Sequence, residues 1–201
     1  MMNGKDILIA DDHVIVRRGL QFLLREHYPQ VTIREAASMT ELLRELSKTQ
    51  PDLLILDLQL ADRNSFGSIG QLRLMYPDLR ILVFSMTSAR VFKETILRSG
   101  VNEFLNKQCS DSELLETMKR LIHAPVTHTD PTPAFSASPF SALSTREINI
   151  MHELLTGRSA KEIALRLDLE ATTVATYKRR LYDKLGATSV LDLQRMVNEH
   201  G

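Results

Sequence analysis

Apolar residues fall into two rhythms along residues 1–123. Short unbroken apolar runs, among them DILIA, LLIL and ILVF, predict strands at 6–10, 31–35, 53–57, 80–85 and 102–105. Runs without polar alternation are those of strands buried on both faces. Between them, helical spacing recurs over 14–27, 39–48, 66–75, 89–99 and 111–123. Val16, Leu20, Leu23 and Leu24 stand at offsets 0, 4, 7 and 8 and so share one helix face. Ser110 and Glu113 have the spacing of a capping box ahead of the last helix. Five strand–helix units in succession predict an α/β fold, a doubly wound five-stranded parallel sheet.

From residue 142 onward the pattern is helical only. Ser144–Glu147 and Ser159–Glu162 repeat the S-x-x-E spacing that opens helices, and Gly157 and Gly186 stand where helices stop. Helices are expected over 145–155, 160–167, 171–185 and 189–198. Between the two patterns lies APVTHTDPTPAFSASPFS, which holds four of the seven prolines and almost no charge, so it reads as a linker. The chain divides into a domain over 1–123, a linker over 124–141 and a small all-α domain over 142–201. Sixty residues make a marginal core, so packing against another chain would help the second domain.

Composition narrows the function only slightly. Lys+Arg 25 against Asp+Glu 25 gives no net charge, so bulk charge names no partner. A single cysteine, Cys109, excludes an intramolecular disulfide and a cysteine-rich zinc site and suits a reducing compartment. The start MMNGKDILIADD lacks the apolar stretch of a signal peptide and no apolar run is long enough to span a membrane; a cytoplasmic protein with no membrane partner is expected. The six histidines form no HxH or HExxH pair and read as surface or core-edge residues rather than ligands.

The chemistry is concentrated at the strand ends. Open α/β sheets place their sites outside the carboxyl ends of the strands. There the sequence puts Asp11 and Asp12, Asp57, Ser85 and Lys107 after strands one, three, four and five. Each alone is also an ordinary N-cap or turn residue; the set of five is harder to explain that way. Three converging carboxylates repel unless a cation joins them, and oxygen ligands with room for water suit Mg²⁺. With two acids on the metal, the third is free to act as nucleophile toward phosphorus. A hydroxyl and an ammonium beside it would hold phosphoryl oxygens.

Through ILIADDH, LLILDL, ILVFS and GVNEFLNK, residues 5–123 resemble the receiver domain of two-component response regulators, a flavodoxin-like fold. The resemblance implies that Asp57 takes a phosphoryl group from a histidine kinase, with Asp11 and Asp12 as the acidic pair. It makes Ser85 the switch hydroxyl, Phe104 the switch aromatic, Lys107 the phosphate-binding lysine and the Gln59 backbone carbonyl the remaining Mg²⁺ ligand. Two positions depart from the family: Ala61 and Ser65 replace the usual proline and glycine of the loop after the acceptor.

In the second domain, the segment ATTVATYKRRLYDKL over 171–185 places Val174, Tyr177, Leu181 and Leu185 on one face. Thr172, Ala175, Thr176, Arg179 and Asp183 lie opposite, flanked by Arg180. Lys178, Arg179, Arg180 and Lys184 concentrate positive charge on a domain with nine basic and eight acidic residues. Charge on one helix suits insertion between phosphates, and small hydroxyl residues at its start allow close approach to base edges. The stretches L-S-x-R-E, G-x-S-x-K-E-I-A, T-V-x-x-Y and K-L-G resemble the LuxR-type helix-turn-helix over 143–198. That resemblance implies a scaffold helix at 161–167, a DNA-reading helix next and dimerisation through 189–198. The candidate contacts are Thr172, Thr173, Thr176, Tyr177, Lys178, Arg179, Arg180 and Lys184. Glu170 stands where the family usually has a capping serine, with Thr172 or Thr173 as local substitutes.

Together the two domains resemble the NarL/FixJ subfamily of response regulators. The expected protein is a transcription regulator that binds double-stranded promoter DNA, takes its phosphoryl group from a histidine kinase and forms a homodimer on phosphorylation. It is not an enzyme beyond its own phosphoryl chemistry. One rival is a DNA-binding regulator whose receiver only binds other proteins. Another is a metal-dependent phosphatase or phosphotransferase, which usually needs a second acid two residues past the nucleophile, where this chain has Gln59; nor is there a Gly-rich phosphate loop.

Overall fold

The computed structural model describes residues 4–60, 68–86, 93, 96–123, 139–167 and 169–200. Five strands, β1 (Asp6–Ala10), β2 (Thr32–Ala36), β3 (Leu53–Leu56), β4 (Ile81–Ser85) and β5 (Glu103–Asn106), form one sheet of order β2-β1-β3-β4-β5 with every pair parallel. The apolar runs work as the period of a strand requires. Ile7, Ile9, Leu53, Ile55, Leu82, Phe84 and Leu105 face one side and pack with α1 (Val14–His27) and α4 (Asp111–His123). Leu8, Ala10, Leu54, Leu56, Ile81, Val83 and Phe104 face the other, toward α2 (Met39–Lys48) and α3 (Ile69–Met75).

Sequence expectations hold to within a residue or so at most ends. The second, fourth and fifth strands start one residue later than expected, and Asp57 stands just outside β3. The helix expected over 66–75 begins at Ile69; residues 66 and 67 lie outside the described residues. Most of the expected helix 89–99, and Ala61 and Ser65 of the departing loop, also lie outside them, although 96–98 are helical. Glu113 donates its N–H to Ser110 Oγ at 3.2 Å, one half of the expected capping box.

The second domain contains α5 (Thr145–Leu155), α6 (Ala160–Leu167), α7 (Ala171–Leu185) and α8 (Val190–His200). Both S-x-x-E boxes form. Glu147 and Glu162 accept from the backbone N–H of Ser144 and Ser159 at 2.7 and 2.8 Å, and each serine hydroxyl accepts in return. Gly186 closes α7 with φ +65°, a left-handed conformation that glycine adopts without a Cβ penalty.

The linker needs one correction. Pro139–Ala142 is a 3-10 turn, and Phe140 is fully buried in the apolar cluster of the helices. A phenylalanine amid Pro, Ser and Ala looks like linker until its pocket is known. That cluster also includes the α2–α3 side of the sheet, so the helical domain extends its small core onto the receiver.

Candidate functional site

Parallel pairing aligns the strand ends. Ala10 pairs with Leu56, and the Asp57 N–H donates to the Ala10 carbonyl at 2.8 Å. Ser85 pairs with Asn106, and the Lys107 N–H donates to the Ser85 carbonyl at 3.0 Å. The residues beyond β1, β3 and β5 therefore emerge on one edge, with Ser85 closing β4 beside them. Asp11, Asp57 and Ser85 are all buried.

Lys107 Nζ bridges two acids, 2.6 Å from Asp11 Oδ2 and 2.7 Å from Asp57 Oδ2. Burial raises the Asp57 carboxyl above its ordinary value, and Lys107 only partly offsets this. Burial works against the Lys107 ammonium too, but its hydrogen bonds to Asp11 and Asp57 outweigh it and its pKa is raised. Two buried carboxylates thus share one ammonium, with Asp12 beside them. Asp12 Oδ1 is buried without a hydrogen-bond partner. With the His13 ring 2.7 Å away and no hydrogen bond made, this buried oxygen beside other acids suits a divalent cation, so these residues fit Mg²⁺.

Phe104 is fully buried among the apolar residues on the α2–α3 side. Gln59, two residues past Asp57, turns its side chain away and donates from Nε2 to His152 Nε2 on α5. Burial lowers the His152 pKa, which keeps the ring neutral and able to accept. Beside it, Glu153 is fully buried and ion-paired to Arg158 at 2.7 Å and Arg166 at 3.4 Å.

On α7, Val174, Leu181 and Leu185 are buried, and Thr172, Thr176, Arg179 and Arg180 are exposed, as their spacing predicts. Thr173 and Lys178 are half-buried; Lys178 lies 5.4 Å from the Tyr182 ring centre. Two expected contacts stand apart. Lys184 Nζ is held by Glu147 Oε2 at 2.8 Å and by the Ala142 carbonyl at 3.0 Å, so it ties α7 to α5. Tyr177 packs on the core, with Arg180 5.8 Å from its ring centre. Glu170 caps α7 by position but makes no side-chain capping bond.

The sequence reading passed over three groups. His13 lies against the acidic pair; its place directly after two aspartates was the available signal. Arg17 pins the Asp11 carbonyl at 2.7 Å and pairs with Glu35 at 2.8 Å. The Gln59–His152 contact spans 93 positions and no local pattern announces it.

Residues 7–119 match the response regulator receiver domain family, and residues 141–197 match the luxR family of bacterial regulatory proteins. The chain is 28% identical over 195 residues to a nitrate/nitrite response regulator protein homolog of Haemophilus influenzae, covering 94% of each chain. It is 28% identical over 204 residues to the oxygen regulatory protein NreC of Staphylococcus aureus, covering 93% of this chain and 94% of that one. Its fold superposes with TM-score 0.79 on RcsB of Salmonella enterica serovar Typhimurium, solved bound to promoter rprA with the phosphomimetic BeF3-, at 25% identity and covering 98% and 99% of the two chains. The chain belongs to the response regulator receiver family. With its luxR-type second domain it is a phosphorylation-regulated DNA-binding regulator of transcription.

Proposed function

We propose that Asp57 is the phosphoryl acceptor and that a histidine kinase is the donor. The observation that carries this is the convergence of Asp11, Asp12, Asp57 and Lys107 on one sheet edge, with Lys107 bonded to Asp11 and Asp57 at once. An Asp57 oxygen attacks phosphorus, the P–N bond of the phosphohistidine breaks, and its electron pair leaves with the imidazole. Asp11, Asp12, Asp57 and the Gln59 carbonyl would hold Mg²⁺, which supplies positive charge for the phosphoryl oxygens. Lys107 follows the new charge by exchanging its contact with Asp57 for one with the phosphoryl group, and Ser85 supplies a hydroxyl.

The DNA surface is the exposed face of α7: Thr172, Thr176, Arg179 and Arg180, with Thr173 and Lys178 at its margin. RcsB, which shares this fold, is bound to promoter DNA, which supports DNA as the ligand of this domain. Gln59 reaches the helical domain from the loop that carries Asp57, so phosphorylation and the seating of α5 bear on the same few residues. The phosphorylated protein dimerises and binds an inverted repeat more tightly, with two α7 helices about one DNA turn apart. It acts in the cytoplasm, where a regulator of the luxR family meets its DNA.

Incubation with Mg²⁺ and a small phosphodonor should add one phosphoryl group, visible by intact mass. Chelation and Asp57→Ala should each abolish it; an Asp57→Ala protein that still gains the mass would remove Asp57 as acceptor. Sedimentation at matched concentrations tests the dimer. Equal association constants with and without phosphate, at unequal DNA affinity, would reject dimerisation and leave domain release. Ser85→Ala should take up phosphate but lose the gain in association.

A further inference from the structure

The acidic pocket has a nitrogen beside its oxygens. His13 is the N-cap of α1, one residue past Asp12, and its side chain makes no capping bond. Its backbone N–H donates to Asp11 Oδ1 at 2.9 Å, which folds the chain so that the ring returns over the carboxylates. Nδ1 lies 3.2 Å from Asp11 Oδ1 and 2.7 Å from Asp12 Oδ1. One ligand atom from each of Asp11, Asp12, His13 and Asp57 lies within 4.8 Å of all the others. Opposite ligands of a single octahedral ion are about 4 Å apart, so a small adjustment lets these atoms share one ion.

Two further observations set His13 apart from a surface histidine that happens to be near. Asp12 Oδ1, the oxygen closest to Nδ1, is buried yet accepts no hydrogen bond. Nδ1 is hydrogen-bonded to Asp11 Oδ1, so the ring already points at the acidic pair, and an ion that displaces its proton would meet Nδ1 and the unbonded Asp12 Oδ1 together. The His13 side chain is also 63% exposed, so it can swing by a fraction of an ångström without disturbing the core.

From this we infer that His13 is a further ligand of the receiver's metal site and strengthens its hold on divalent ions that favour imidazole. It rests on the reading of the acidic pocket as a metal site. Mg²⁺ takes oxygen ligands and gains little from a ring nitrogen, whereas Co²⁺, Ni²⁺ and Zn²⁺ bind imidazole well. In this chain the ring adds affinity for those ions and little for Mg²⁺. The position also places His13 at the mouth of the pocket, where a change of ion alters how the phosphoryl group is received.

Isothermal titration of the full-length protein with MgCl₂ and with CoCl₂ tests this, alongside the visible absorption of bound Co²⁺, which reports nitrogen ligation. Wild type should bind Co²⁺ more tightly than Mg²⁺. His13→Ala should lose about tenfold in Co²⁺ affinity and change less than about twofold toward Mg²⁺. His13→Gln, which keeps the bulk and loses the ring nitrogen, should behave like His13→Ala. Other histidines bind Co²⁺ too, so the same variants are made in an Asp12→Ala background, where replacing His13 should have no further effect. Circular dichroism confirms that each variant is folded. Mg²⁺ binding that survives together with Co²⁺ affinity equal in wild type and His13→Ala would overturn the role of His13 and leave the pocket intact. Failure of wild type to bind either ion would overturn the metal reading itself, and the role of His13 with it.

Discussion

The strand-end pocket and the outer face of α7 both concentrate charge, and they do so in opposite ways. In the pocket, Asp57 is 4% exposed, and Lys107 is fixed between Asp11 and Asp57 by two contacts. On α7, the Arg179 side chain is 86% exposed and has only a loose approach to Asp183 at 3.8 Å. Buried charges are costly to strand, so each must be answered by a partner or an ion, and the pocket is set before its ligand arrives. Exposed charges cost little to leave unpaired and are screened by salt. They await a polyanion whose charge they meet only on contact. One site is built to receive a small, doubly charged group with fixed geometry, the other to be laid against a long charged surface.

That difference predicts where substitution hurts stability and where it hurts only function. The largest effect is expected at Lys107. Lys107→Ala leaves Asp11 and Asp57 buried without their shared ammonium, and removing one partner of such a cluster costs about 3–5 kcal/mol. Thermal or urea unfolding measures this, and Mg²⁺ should restore much of the loss by replacing the missing positive charge. A variant as stable as wild type in chelator would mean that solvent already reaches these carboxylates.

The helical domain has a buried charge of its own, and it sharpens the contrast. Glu153 is fully buried between Arg158 and Arg166, while both arginines keep part of their surface in water. Arg158→Ala deprives the buried carboxylate of its closest partner and should cost about 2–3 kcal/mol, below the range of a fully buried pair because Arg166 remains. Glu153→Met leaves the arginines able to turn to solvent and fills the space with apolar atoms, so it should cost less. Chemical denaturation of the two variants checks the order; the reverse order would show that the arginines, not the glutamate, are the trapped charges.

Arg179→Ala belongs to the other regime. Nothing in the fold depends on so exposed a side chain, so stability should change by less than about 0.5 kcal/mol. Specific DNA binding should weaken by about 1–3 kcal/mol if the guanidinium meets a base edge. Binding at several salt concentrations separates the cases. A loss equal on all sequences with a shallower salt dependence would make Arg179 a phosphate contact instead.

The same contrast explains what the sequence disclosed. The pocket was legible because β-strand ends and apolar runs fix where Asp11, Asp57, Ser85 and Lys107 emerge, and parallel pairing does the rest. The core face of α7 was legible because helix period alone sorts Val174 and Leu181 from Thr176 and Arg179. The pairing of Lys184 was not legible, because its spacing says only that it is near the outer face, while its partner Glu147 lies 37 residues away. Phe140 was misread for the same reason: the pocket that buries it is made by helices the local composition does not mention. His13 was passed over because its partners are the two residues before it rather than a metal-ligand spacing on a helix. Periodicity reports which way a side chain faces, and long-range partners decide what it meets there.

The smallest effect concerns the start of α7, where the two regimes meet. Glu170 has the extended backbone of an N-cap, φ −74° and ψ 145°, but its side chain makes no capping bond. The Thr173 and Val174 N–H groups instead share the Glu170 carbonyl at 2.9 and 3.1 Å. Neither Thr172 nor Thr173 can take the capping place, since both already lie inside the helix, and the Thr176 hydroxyl donates back to the Thr172 carbonyl at 2.9 Å. A serine at 170 has a short hydroxyl that reaches the N–H two or three residues on, so Glu170→Ser should stabilise the domain by about 0.5–1 kcal/mol. The glutamate does have a favourable interaction with the positive end of the helix, which the substitution gives up, and this holds the gain toward the lower end. For DNA the sign is less divided. Removing a negative charge from the end of the helix that enters the groove lowers repulsion with phosphates, so non-specific affinity should rise modestly and fall back as salt is added. Thermal unfolding of the full chain together with DNA titrations at two salt concentrations separates the capping gain from the charge gain. Glu170→Gln, which removes the charge without supplying a cap, should reproduce the DNA effect and not the stability effect; if it reproduces both, the gain came from charge and the missing cap is of no consequence.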